Sequence, residues 1–150
     1  NSLAKADVKP GSNVYAELGS TWRFLMRDPT SAAHALGKLI RAVGEDNVLW
    51  GTDSIWYGSP QDQIEAFRAF QIATELRERH GYAELTPALK RKVFGGNAVK
   101  VYALDEAALR KHLPADSVGR ARAAYSGAED PAFATYGPKS RREWLALGAG

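Results

Sequence analysis

The stretch that most constrains this chain is Asn47-Val48-Leu49-Trp50-Gly51-Thr52-Asp53, a short apolar run that stops on a glycine and then presents one carboxylate. Placed between two amphipathic helical stretches, such a run reads as a buried parallel strand whose last residues turn into a loop. The carboxyl ends of strands are where α/β folds carry their chemistry. Asp53 is therefore the first candidate residue, as a metal-binding or proton-transferring carboxylate. The competing reading is an ordinary turn aspartate that accepts from nearby backbone N–H groups.

The segments around this run supply its partners. Asn13 to Gly19 alternates and is β-prone, which predicts a second strand with Glu17 near its carboxyl end. Asp28-Pro29 is a helix start, and Ala33, Leu36, Leu39, Ile40 and Val43 recur at helical spacing until Gly44 closes the element. After the strand, Ile55, Trp56 and Tyr57 form an unusually apolar loop. Ser59-Pro60 starts a helix carrying Ile64, Phe67, Phe70, Ala73 and Leu76 as far as His80-Gly81. Thr86-Pro87 starts another that runs to Gly95-Gly96, Asn97 caps a fourth, and Asp105-Glu106 leads into a further helical turn. Trp22, Phe24, Leu25 and Met26 show no clear period and read as a loop or a short helix.

Strand, helix, strand, helix is the pattern of a parallel sheet with helices outside it. Only two strands are evident, at about 13–19 and 47–52, whereas a (β/α)₈ TIM barrel takes roughly 250 residues. The expected fold is α/β, the C-terminal portion of such a barrel, with its sheet completed by the N-terminal remainder of the barrel or by a homo-oligomer partner. Residues 1–112 would be the closing βα units. Residues 113–150, rich in Ala, Gly and Arg, would be an extension that wraps the body or packs on a partner, with a helix around Ser140 to Leu147. A chain that begins at Asn1 and has Met26 as its single methionine is expected to be processed, trimmed or a piece of something longer.

Composition closes off several classes. Without cysteine there is no disulfide framework, thiolate nucleophile or Cys-type zinc site. A net charge of +3 gives little attraction to polyanions, and the basic runs Lys90-Arg91-Lys92 and Lys139-Ser140-Arg141-Arg142 are short. No stretch approaches the ~20 apolar residues that span a bilayer. Neither a nucleic-acid nor a membrane partner is expected, and the expected compartment is the cytoplasm. There is no Gly-x-Ser-x-Gly elbow, no phosphate-binding loop and no Rossmann glycine pattern.

Asn47 to Ser54 resembles the eighth-strand signature of the metal-dependent amidohydrolase superfamily, in the branch called amidohydrolase family 2, which reads apolar-apolar-Gly-Ser/Thr-Asp there. The strand one helix earlier agrees, as do Gly95-Gly96-Asn97-Ala98 and Val101-Tyr102, which resemble the family's terminal helix. The resemblance covers Asn13 to Leu104 and implies a TIM-barrel hydrolase in which a metal-activated water attacks a carbonyl-type carbon of a small-molecule substrate. It gives Asp53 the role of metal ligand or general base, implies a divalent metal, zinc, only in the complete enzyme, and leaves Asn97 as a structural cap. The family also draws a His-x-His pair from its first strand and histidines from its fifth and sixth, and this chain has no His-x-His. The isolated chain is accordingly expected to be inactive.

Glu17 could face the same cavity as Asp53, and Trp22, Trp56 and Tyr57 follow the strand ends, where they would line a substrate pocket or pack. His34, His80 and His112 read as surface or helix-end histidines. Two alternatives accompany the hydrolase reading: a decarboxylase on the same scaffold, and a non-catalytic interaction or assembly module using an exposed sheet edge.

Overall fold

A computed structural model describes residues 2–112 and 116–125. The chain divides between Leu104 and Asp105, so the helix at 106–112 belongs to the second unit, eight residues ahead of the 112/113 boundary read from the sequence.

The first unit opens with a one-turn helix, α1 (Ser2–Lys5), where the polar composition predicts only loop. The strands β1 (Ala16–Glu17) and β2 (Val48–Leu49) pair in parallel, with Ala16 opposite Val48 and Glu17 opposite Leu49. Both are far shorter than the apolar runs that contain them. A ladder extends only where two backbones lie side by side, and among the described residues each strand has a single neighbour. Val48 and Leu49 are both buried, as a parallel strand covered on two faces requires. The described residues thus form a βαβ unit with further helices, and no closed barrel.

Between the strands lie α2 (Gly19–Leu25) and α3 (Pro29–Val43). The Asp28 carboxylate accepts from Thr30 N and Ser31 N, and Gly44 ends α3 at φ 90°, so both predicted caps form. Ala32, Ala33, Leu36, Ile40 and Val43 bury one stripe of α3 against the sheet. Trp22, Leu18, Phe67, Leu85 and Val93 complete the core, with Phe67 edge-on to Trp22 at 5.1 Å.

The apolar stretch after Asp53 is α4 (Ser54–Tyr57) rather than a loop. The single helix expected from Pro60 to His80 is two: α5 (Gln61–Ala69) and α6 (Thr74–His80). Phe70 breaks it by turning extended (ψ 136°), and the buried amine of Lys90 donates to the carbonyls of Arg68 and Phe70, satisfying the end of α5. Ile72, 3% exposed, fills the core between the two helices.

α7 (Pro87–Arg91) continues through a π turn at Lys92–Gly96 into α8 (Asn97–Val101). Gly95-Gly96 therefore widens a helix instead of ending it, and Asn97, itself in helical conformation, does not cap its own helix. Its side-chain amide donates 2.8 Å bonds to the carbonyls of Glu45 and Val48, pinning the entry to β2. The second unit holds α9 (Glu106–His112) and α10 (Ser117–Tyr125). The helix expected at 140–147 lies outside the described residues. No helix among the described residues is long and apolar enough to cross a membrane.

Candidate active site at the strand ends

Two local devices bring carboxylates together beyond the carboxyl ends of β1 and β2. After β2 the chain runs through Trp50, Gly51 and Thr52 to Asp53, which sits in the left-handed region (φ 49°, ψ 33°) that aspartate tolerates better than most residues. The turn is fixed from behind: Gln63 Nε2 donates to the Thr52 carbonyl at 2.8 Å, and Trp56 N to the Asp53 carbonyl at 2.8 Å. The Asp53 side chain then meets the start of α2. Its Oδ2 accepts from Ser20 N at 2.8 Å and from Ser20 Oγ at 2.5 Å.

Glu17 ends β1 and folds back on the next turn, where its Oε1 accepts from Gly19 N at 2.8 Å. Two glycines make room for it. A Cβ on Gly51 would stand 1.4 Å from Glu17 Oε1, and one on Gly19 would stand 2.6 Å from Glu17 Oε2 and 3.0 Å from Asp53 Oδ2. Gly19 is thus the floor between the two carboxylates, and only a residue without a side chain fits there. The first N–H groups of α2 face these anions, as the unpaired donors of a helix start do.

Tyr57 joins from α4, its hydroxyl 3.1 Å from Ser20 Oγ. Phe24 lies edge-on to the Tyr57 ring at 5.9 Å and the Arg23 guanidinium stands 5.8 Å from its centre. Trp56 is 78% exposed on the same short helix, beside Ile55. Trp22 is different. It is 1% exposed and its Nε1 donates to the Gln63 carbonyl at 3.0 Å, so it packs in the core and lines no pocket. Glu17, Asp53 and Tyr57 are brought together; Ser20, Gly19 and Gly51 complete the arrangement and carry no motif that singles them out. The one signal for Ser20 is a small hydroxyl residue at the start of the helix that follows a strand.

Residues 6–104 match the model of the family described as amidohydrolase. The chain belongs to the amidohydrolase family. The match ends at Leu104, where the first unit ends. Comparison with curated proteins and with solved structures gives no match.

Amidohydrolases generally use divalent metals. A catalytic zinc centre takes three protein ligands and keeps one open position. Among the described residues no group of three or more His, Cys, Asp or Glu side chains is placed to hold a metal ion. Beyond the strand ends this chain offers two carboxylates, one of them already saturated on one oxygen by Ser20. His34 and His80 pack with Tyr82 instead, and the side chain of His112 lies outside the described residues. The residues present do not make a metal centre by themselves. What they do make is an oriented carboxylate: Oδ2 of Asp53 is held by two donors, and among the described residues Oδ1 takes no hydrogen bond.

Proposed function

We propose that this chain forms the closing strands of a TIM-barrel hydrolase, with Asp53 as the group that takes the proton of a water attacking a carbonyl-type carbon in a small-molecule substrate. The observation that carries the reading is the grip on Asp53. Ser20 N and Oγ fix Oδ2, which leaves Oδ1 as the basic oxygen and sets its direction before any substrate arrives. Glu17, held on Gly19 N, keeps a second carboxylate beside it, and Tyr57, Phe24 and Trp56 border the position as an aromatic rim. The zinc expected from the family would have to find its histidines elsewhere in a complete barrel, with Asp53 as this chain's contribution.

The decisive experiment is Asp53→Asn in the complete barrel, assayed for amide and ester hydrolysis. Loss of turnover by about 10²–10⁴-fold with unchanged circular dichroism supports the reading. Undiminished turnover overturns it. The isolated 150-residue chain is expected to be silent, and metal-dependent hydrolysis by that chain would show that it assembles a full site alone.

A second reading concerns partners and rests on the sheet. β1 and β2 pair only with one another among the described residues, so their outer edges carry unpaired N–H and C=O groups. Those edges fit further parallel strands, from the remainder of the barrel or from another copy of this chain. Light scattering on the isolated chain decides between them: dimers or larger species indicate another copy, and a monomer indicates the missing strands.

A further inference from the structure

On the outer side of α3, away from the strand-end carboxylates in sequence and in chemistry, lies a concave surface of about 550 Å³ lined by Ser31, His34, Ala35, Lys38, His80 and Tyr82. Its floor is built around Gly37. A Cβ there would stand 2.3 Å from Tyr82 Cγ, so the Tyr82 ring lies directly on the backbone of α3. Glycine within a helix costs about 0.5–1 kcal/mol relative to alanine, and this one seats an aromatic ring that a side chain would displace.

The seated ring organises the rest. Tyr82 Oη is 3.0 Å from His34 Nδ1, and the His80 ring stacks on Tyr82 at 5.2 Å with 23° between planes. The two imidazoles stand edge to face at 5.0 Å. Arg41 closes the far side, donating to the His80 carbonyl at 2.9 Å while its guanidinium lies 5.9 Å from the Tyr82 centroid.

We propose that this surface binds a small oxyanion, a phosphate or carboxylate group, between the imidazoles of His34 and His80 and the amine of Lys38. The charges that face it are one-sided. From α3 come His34, Lys38 and Arg41, and from α6 come Arg79 and His80. The carboxylates of the neighbouring elements are already engaged: Asp28 closes on Thr30 N, Ser31 N and Ser31 Oγ, and Glu84 pairs with Arg77 at 2.8 Å. Partial burial, and then the charges of His34, Arg79, Lys38 and Arg41, hold the His80 imidazole below its ordinary range. An anion seated among these groups would reverse that effect. A metal ion is the poorer occupant, because there are two imidazoles with no third ligand, one of them with Nδ1 already on Tyr82, and because the surrounding charge is positive.

The test is an NMR titration of the 150-residue chain with inorganic phosphate, read at the imidazole C–H signals of His34 and His80, against chloride at matched ionic strength. Saturable movement of both signals, a rise in the His80 titration midpoint, and a weakening of about fivefold in Lys38→Gln support the site. Lys38 is exposed, so this variant keeps the fold. A parallel titration with acetate separates the sources: saturation by phosphate alone assigns phosphoryl groups, by acetate alone carboxylates, by both any small oxyanion. Signals that stay still with both anions, that move equally with chloride, or that saturate with unchanged affinity in Lys38→Gln overturn the proposal.

Discussion

The strand-end carboxylates and the imidazoles on α3 and α6 are both clusters of like-charged groups, yet they are stabilised by opposite means. Glu17 and Asp53 sit against backbone N–H groups of a helix start, two glycines and a serine, so the polypeptide supplies the compensating charge. His34 and His80 have only one another, a tyrosine ring and further cations. The first cluster is complete as built. The second has a charge imbalance that an external anion would relieve. Fixed internal donors make a site for orienting a proton acceptor; a surplus of one sign makes a site for a ligand.

The largest test of this contrast is activity. Asp53→Asn should cost a complete barrel about 10²–10⁴-fold in turnover, while His80→Gln leaves turnover unchanged. Equal losses would merge the two clusters into one functional unit. Next is Gly37→Ala, which forces the Tyr82 ring off α3 and should lower stability by about 1–3 kcal/mol in a thermal melt, with phosphate-induced shifts at His34 lost. The Asp53–Ser20 contact should survive it. Ser20→Ala removes one of two donors to Asp53 Oδ2 and keeps the backbone N–H, so it should cost about 1 kcal/mol, read by denaturant midpoint. The smallest effect is in pH. Because the folded chain holds His80 below 6.5, the unfolded chain binds its proton first as pH falls. Stability is then complete above that value and declines below it, and His80→Gln should flatten the slope.

The two clusters also differ in how far the sequence reveals them. Asp53 and Glu17 could be picked out because each follows an apolar run, and position at a strand end is a property of a few consecutive residues. The α3 helix was equally legible, since its stripe, Asp28 and Gly44 all point to the same boundaries. Ser20 was not, because its role depends on β1 and β2 pairing in one particular register. His34 and His80 meet only because Phe70 breaks the helix before α6 and Tyr82 returns to Gly37. No local pattern encodes that path. The helix break itself was hidden: Phe70 and Ala73 continue the apolar period across a segment whose carbonyls are claimed by the distant Lys90. Trp22 shows the converse, where position after a strand suggests a pocket and the side chain fills the core.

The π turn at Lys92–Gly96 has a consequence for how this chain tolerates insertion and deletion. Asn97 N bonds back to Lys92 O, five residues away, so the turn carries one more residue than an α-helix would use. Removing any one residue between 92 and 96 would restore regular winding and rotate everything after it by about 100°. Asn97 would then leave the carbonyls of Glu45 and Val48, and the entry to β2 would lose its clasp. The glycine pair acts as a phase adjuster between two half-helices, and its length is under tighter constraint than its composition.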